Sequence, residues 1–398
     1  MKIKSFLNSL IIISLTILLL SYSISKYTQY KISISSPRFS NQKQIEYNKK
    51  LDNLYPNGTI TSEGWSRHAI WNYKRNYIKS FKIFIKEWDY YISYIENYNI
   101  WIAITFSDLG YASLISLSII DCNLKNYSQI EDISLFSLGN LNLPSNSLDN
   151  HRITHKSKNM NITISKMEEV RKLIMISDNF KLPNGEKGLN ISLEMVQVPA
   201  IESINIQTTW AHDRKLFYLN EKINGMTISR GYYYLGQSIS GIIKRKNSQN
   251  IFTTLDWGRG VWAYTGTWYW SSGTGYADGI KLGFNFGYGF SDRSPATENC
   301  IFYDDRIHKL NNVKFDIPNN EKDLCVTGKY WRIKSDDDRV NLKFWPEVNR
   351  QGKFNFGLIK SEQNQIFGIF EGIIILDNGK KINIKNFHGF AEKVYNRW

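Results

Sequence analysis

The 398-residue sequence predicts an all-β protein built from closed or strongly curved antiparallel sheets. Three observations carry that expectation. Apolar and polar side chains alternate with period two in many separate stretches, glycine-bearing turns divide them at roughly ten-residue spacing, and no amphipathic pattern sustains a helix of more than about three turns. Closure removes the edges that strands so rich in Tyr, Trp and Phe otherwise expose.

The chain begins with "MKIKSFLNSLIIISLTILLLSYSISKY", in which 21 uncharged residues separate Lys4 from Lys26, enough to cross a bilayer. No small-residue cleavage site follows, so residues 1–26 are expected to be a single uncleaved membrane anchor, with secretion after signal cleavage as the alternative. Lysines flank the segment on both sides and leave its orientation open. Residues 27–63 are polar without a sustained period and suit a tether.

The body begins at Gly64. Phe81, Ile83 and Ile85 alternate with Lys82, Phe84 and Lys86, and Trp88, Tyr90, Ile92 and Tyr94 continue the period as one strand. "ENYN" turns the chain, Trp101, Ala103 and Thr105 resume it, and "SDLG" breaks it again, with Asp108 as a turn residue. "LPNGEKG" leads into Leu189, Ile191, Leu193 and Met195, and Leu376-Asp377-Asn378-Gly379 gives a hairpin turn before Ile382 and Ile384. A division at "SRGYYYLGQS", near Gly231, separates two strand-rich domains, 64–230 and 231–398.

The net charge of +14 raises the question of nucleic acid, but the lysines are scattered and no zinc, helix-turn-helix or aromatic RNA-binding signature accompanies them. No nucleic-acid partner is expected. Cys122, Cys300 and Cys325 include no C-x-x-C, and three buried thiols are expected rather than a Cys300–Cys325 bridge. The six histidines are dispersed, and G-x-G-x-x-G, phosphate-loop, H-E-x-x-H and G-x-S-x-G patterns are all missing, so neither a metal nor a cofactor is expected.

The densest chemistry lies in "LDWGRGVWAYTGTWYWSSGTG", Leu255 to Gly275. Thr265, Thr267, Tyr269 and Ser271 share one strand face; Gly266, Trp268, Trp270 and Ser272 share the other. Trp257, Trp262, Trp268, Tyr269 and Trp270 are the candidate ligand-binding wall. Gly258 and Gly260 allow a bulge that turns Arg259 toward Asp256. In a catalytic reading, desolvation raises Asp256 and makes it a proton donor tuned by Arg259. In a structural reading, which a neighbouring arginine favours, the two form a plain ion pair. Glu298, in "GFNFGYGFSDRSPATENCIFYDDRIHKL", is either a second acid at a barrel mouth or, by the favoured reading, part of a loop that caps its own backbone.

"EGWSRHAIWNYKRNYIKSFKIFIKEWDYY", "FSDLGYASL", the Leu255–Gly275 stretch, "GFNFGYGFSDRSPATENCIFYDDRIHKL" and the ending "FGIFEGIIILDNGKKINIKNFHGFAEKVYNRW" together resemble the family catalogued as domain of unknown function 2804. The resemblance runs from about Gly64 to Trp398. It implies two lipocalin-like antiparallel barrels, distantly similar to carotenoid hydratases and tocopherol cyclases, and it brings no established catalytic residue. The expected partner is therefore a lipid or isoprenoid-like apolar molecule inside an aromatic-lined barrel, with acid catalysis by a hydratase, cyclase or isomerase as one alternative. A carbohydrate-active protein with two facing carboxylates is the other.

Overall fold

A computed structural model describes residues 44–397 except 211–212, 236–242, 247–250, 292–294 and 319–322, together with five helical positions of the leader, Leu15, Thr16, Leu19, Leu20 and Ser23. The proposed anchor thus lies almost wholly outside the described residues. Among these, no helix is long and apolar enough to cross a membrane.

The described strands, in chain order, are β1 (Leu51–Asp52), β2 (Gly64–Ser66), β3 (Trp71–Asn72), β4 (Ile85–Ile95), β5 (Ile100–Asp108), β6 (Ala112–Asp121), β7 (Asn126–Leu135), β8 (His151–Lys156), β9 (Asn161–Met167), β10 (Val170–Lys181), β11 (Lys187–Val196) and β12 (Ile204–Trp210). They continue as β13 (Asp213–Leu235), β14 (Ile243–Lys246), β15 (Ile251–Val261), β16 (Thr265–Ala277), β17 (Ile280–Tyr288), β18 (Cys300–Tyr303), β19 (Arg306–Lys309), β20 (Val313–Asp316), β21 (Trp331–Ser335), β22 (Val340–Phe356), β23 (Ile359–Ile375) and β24 (Lys381–Arg397).

Two large antiparallel sheets result. The first runs β7-β6-β5-β4-β15-β13-β11-β10-β9-β8, with β2, β12 and β14 attached off that path. It curls far enough for its end strands to be tied by side chains: Asp132 of β7 takes His155 Nε2 of β8 at 2.7 Å and Asn159 Nδ2 at 3.0 Å. The second runs β19-β18-β17-β16-β24-β23-β22-β21-β20, so its two end strands are consecutive in the chain. The all-β expectation and the strongly curved sheets hold.

Each sheet wraps its own packed core. Phe106, Leu117, Leu173, Ile191, Leu219 and Trp257 fill the first; Phe284, Phe286, Trp331, Phe344 and Phe370 fill the second. Between the sheets lies a further aromatic layer, in which Tyr90, Tyr94, Trp101 and Phe252 of the first meet Trp270, Phe367 and Phe390 of the second. This seam explains why β4 is buried along nearly its whole length. Its odd-numbered side chains, such as Tyr91 and Ile95, enter the first core, while the even-numbered Tyr90, Ile92 and Tyr94 enter the seam.

Several boundaries differ from expectation. Lys82–Phe84 forms a 3-10 turn, with Phe81 and Ile83 exposed, and the strand starts only at Ile85. Residues 44–63, expected within the tether, are folded onto the body with Leu54 and Ile60 buried; irregular coil packing leaves no period to read. Gly231 is no boundary between sheets, because it lies inside β13. That long strand kinks at Gly225, whose φ of 70° coincides with a register shift against β15, and its two halves take different neighbours. The chain passes from the first sheet to the second at residues 262–264. The three cysteines are free, two buried and Cys325 half-buried.

Candidate functional site

Period-two alternation, applied to two sheets packed face to face, generates the site. On the first sheet Lys222, Asp256, Tyr90, Thr105, Ser116 and Glu131 are successive cross-strand neighbours over β13, β15, β4, β5, β6 and β7. On the second, Trp270, Glu392, Gln365 and Arg350 form such a row over β16, β24, β23 and β22. Both rows point into the seam and line one cavity of about 190 Å³. The cavity lies between the two sheets, outside the core that each one wraps. Its walls are Trp88, Tyr90, Tyr218, Trp262, Trp268, Trp270 and Phe290, and the exposed Glu131, Gln351 and Gln363 mark its mouth.

Lys222 stands at the buried end with Nζ 3.2 Å from Asp256 Oδ2 and 3.2 Å from Glu298 Oε2. The same ammonium lies 3.8 Å from the Trp270 ring centroid, a cation–π contact in a desolvated setting. Burial by itself lowers the Lys222 pKa, but the two carboxylates outweigh it and the net shift is upward. Asp256 also accepts the Asn220 amide at 2.6 Å.

Glu298 is buried, and burial pushes its carboxyl up while Lys222 offsets part of the shift. Gly287 makes room for it: a Cβ there falls 1.7 Å from Glu298 Oε1. Glu298 does lie in a loop, before β18, but its carboxylate meets Lys222 of the first sheet and does not cap the loop's own backbone. Asp292 of the same stretch lies outside the described residues.

Glu392, which sequence reasoning missed, faces the same space. Burial raises its carboxyl to about 7, against a weaker lowering by the Trp268 indole. Its Oε1 accepts Trp268 Nε1 at 3.1 Å and its Oε2 accepts Gln365 Nε2 at 3.4 Å; Gln365 is held in turn by the Tyr90 hydroxyl at 3.1 Å. Lys222 was missed as well.

Of the expected wall, Trp262, Trp268 and Trp270 line the cavity. Trp257 and Tyr269 do not, because each is one residue out of phase and packs in a barrel core, Trp257 in the first and Tyr269 against the second. The Asp256–Arg259 pair is also corrected. Register between β15 and β4 is unbroken from Ile251 to Val261, so residues three apart point to opposite faces. Arg259 enters the first core, where Nη2 donates to Asp89 Oδ1 at 2.8 Å. The glycines serve packing instead: a Cβ on Gly258 falls 2.1 Å from Trp88.

Chemically, the site is an aromatic chamber with three carboxyl groups and one lysine at its buried wall. Two strongly curved antiparallel sheets with a chamber in the seam between them are thus the class that fold and site define. The chain belongs to the family described as domain of unknown function DUF2804, whose model matches residues 44–398. No curated protein matches it in sequence. Among solved structures it is similar to kievitone hydratase from Nectria haematococca, with 14% identity, 77% of this chain and 88% of that chain covered, and a TM-score of 0.45. It is also similar to a protein described as AttH from Nitrosomonas europaea, at 10% identity, 78% and 91% coverage and a TM-score of 0.40. CghA solved with Sch210972 matches at 8% identity, 91% and 97% coverage and a TM-score of 0.38. Likeness of this degree says nothing about activity.

Proposed function

We propose that the seam chamber binds a small, largely apolar molecule and performs acid-catalysed chemistry on its carbon–carbon double bond, as a hydratase, cyclase or isomerase. One observation carries the reading: the carboxyls of Asp256, Glu298 and Glu392 and a single lysine converge on a chamber walled largely by indole and phenol rings, with Thr105, Ser116, Gln365 and Arg350 among them. The volume of about 190 Å³ suits one ring or the end group of a longer chain, since benzene occupies an apolar cavity of about 150 Å³.

In this mechanism Glu392 is the acid. A carboxyl with a pKa near 7 keeps a proton at neutral pH and still releases it, which is the condition for efficient proton transfer. Its proton goes to one alkene carbon, and the positive charge left on the other is stabilised by the indoles of Trp262 and Trp268, clear of the Trp270 ring that carries the Lys222 ammonium. Water attack yields an alcohol, and the surplus proton returns to the Glu392 carboxylate, directly or by way of Glu298, which regenerates the acid. Capture by a group of the same molecule gives a cyclised product, and loss of a neighbouring proton gives an isomer.

The carbohydrate reading gains no support, because Asp256 and Glu298 share one ammonium instead of facing each other across an open groove. The apolar leader supports a further proposal, a membrane tether that keeps the chamber near lipid-dissolved substrates.

The test is extraction of the purified full-length chain to identify a bound apolar molecule, followed by turnover assays with it. Glu392→Gln should keep binding within about threefold and lower turnover at least a hundredfold, the usual scale for a general acid. Unchanged turnover in Glu392→Gln refutes this mechanism.

A further inference from the structure

The end of the chamber remote from Lys222 holds a polar group that the proposed chemistry does not use. Asn396 is only 1% exposed, lines the chamber, and neither its Nδ2 nor its Oδ1 has a hydrogen-bond partner in the protein. Buried amide groups are almost always paired, and an unmet donor or acceptor costs stability. Asn396 lies four residues along β24 from Glu392 on the same face, about 13 Å away by strand rise. Trp268 sits between them: its cross-strand partner is Val394, and its indole N–H reaches Glu392.

The surroundings of Asn396 leave room for a ligand group. Its cross-strand neighbours are Gly266 and Ser361, neither charged. A Cβ built on Gly266 meets nothing within 4 Å, so space lies open beside the amide. The Ser361 hydroxyl already accepts Gln363 Nε2 at 3.3 Å. What Asn396 lacks is an acceptor for Nδ2 and, immediately next to it, a donor for Oδ1. One hydroxyl reaches both Nδ2 and Oδ1 only through two bent hydrogen bonds, and a carboxylate satisfies Nδ2 while opposing Oδ1 with no cation in the row. A cis-amide, with N–H and C=O side by side, satisfies both.

We infer that the ligand carries a neutral lactam or primary amide edge that pairs with Asn396, joined to an apolar ring lying on Trp268 between that edge and the acids. The inference rests on the seam chamber being the ligand site, as proposed above.

Three bicyclic probes of like size separate the two claims by calorimetric titration of the full-length chain. 2-Quinolinone offers N–H and C=O, coumarin offers C=O with a ring oxygen in place of N–H, and naphthalene offers neither. Tighter binding of 2-quinolinone than of coumarin, by tenfold or more, is expected, with Asn396→Leu removing that preference and leaving naphthalene unchanged. Gly266→Leu, which fills the open space without touching Asn396's own strand, should remove it too and stands in should Asn396→Leu fail to fold. Naphthalene binding with no preference for 2-quinolinone, or a preference that survives both substitutions, overturns the amide inference and leaves the chamber reading standing. Binding of none of the three overturns both.

Discussion

Lys222 and Asp256 are direct cross-strand partners on β13 and β15, and the ammonium that Asp256 holds at 3.2 Å is also the counter-charge of Glu298, on the loop that leads into β18 of the other sheet. One side chain thus joins the two curved sheets electrostatically at the floor of the chamber. Both acids are taken out of water on folding, so each depends on that cation.

Replacing Lys222 with Met should therefore destabilise the protein by about 3–5 kcal/mol, the cost of breaking a buried pair from one side. The loss should be smaller at acid pH. Burial already holds the Glu298 carboxyl above its ordinary value and the ammonium offsets part of that; without it the folded pKa rises further, the native state keeps a proton that the unfolded chain releases, and stability falls as pH increases through that window. Urea unfolding of Lys222→Met at pH 5 and pH 8 checks this; equal losses at both count against the shared-cation geometry.

Glu392 makes the same sign argument in the native protein. Its carboxyl lies at about 7 against an ordinary 4.5, so the folded state retains a proton that the unfolded chain releases. Stability should fall as pH rises from about 4.5 to 7 and level off above, by about 3 kcal/mol in total. Glu392→Gln, which cannot ionise, should remove that component. Denaturation curves of both proteins over pH 4.5 to 8 provide the measurement, and parallel slopes contradict it.

How much of this was legible in the sequence follows from what period two can report. The strands around Tyr90, Trp101 and Ile191 and the turns at residues 96–99 and 377–379 are local features, and they appear where the alternation and turn residues put them. Phase errors at Trp257 and Tyr269 arise because alternation marks two faces without saying which one meets the seam. Nothing in "NEKING" or "AEKVY" marks Lys222 or Glu392 as facing an interior. They are buried only because a second sheet covers them, which no local pattern states. A usable signal did exist: Asn220, Glu221 and Lys222 interrupt strand β13 with three consecutive polar residues, and both faces of a strand reading that way must be satisfied inside the protein.

The Trp88 wall depends on a residue with no side chain. A Cβ on Gly258 lands 2.1 Å from the Trp88 ring, whose indole also stacks with Tyr218 at 6.1 Å and meets Trp262 edge-on at 5.5 Å. Gly258→Ala should displace Trp88 into the chamber, costing about 1–3 kcal/mol as an overpacking change and weakening apolar ligand binding at least tenfold. Tryptophan emission with and without naphthalene reports both effects; an unchanged spectrum and affinity show that the wall yields elsewhere.

Arg259 offers the opposite separation, large in stability and silent in the chamber. Inside the first barrel its guanidinium donates to Asp89 Oδ1 at 2.8 Å, to the carbonyls of Trp88 and Gly258 at 2.6 and 2.8 Å, and to Pro144 at 2.9 Å, pinning the segment that follows β7 against the core. Arg259→Met leaves Asp89, itself fully buried, without its counter-charge and should lower stability by about 3–5 kcal/mol. Arg259→Met combined with Asp89→Asn should recover part of that loss, because the stranded charge goes too. Under conditions where the single variant remains folded, ligand affinity and the pH profile of any turnover should match the wild type, since the two faces of β15 are separate. A shifted pH profile with normal stability instead makes Arg259 a partner of Asp256 and contradicts the register that places them on opposite faces.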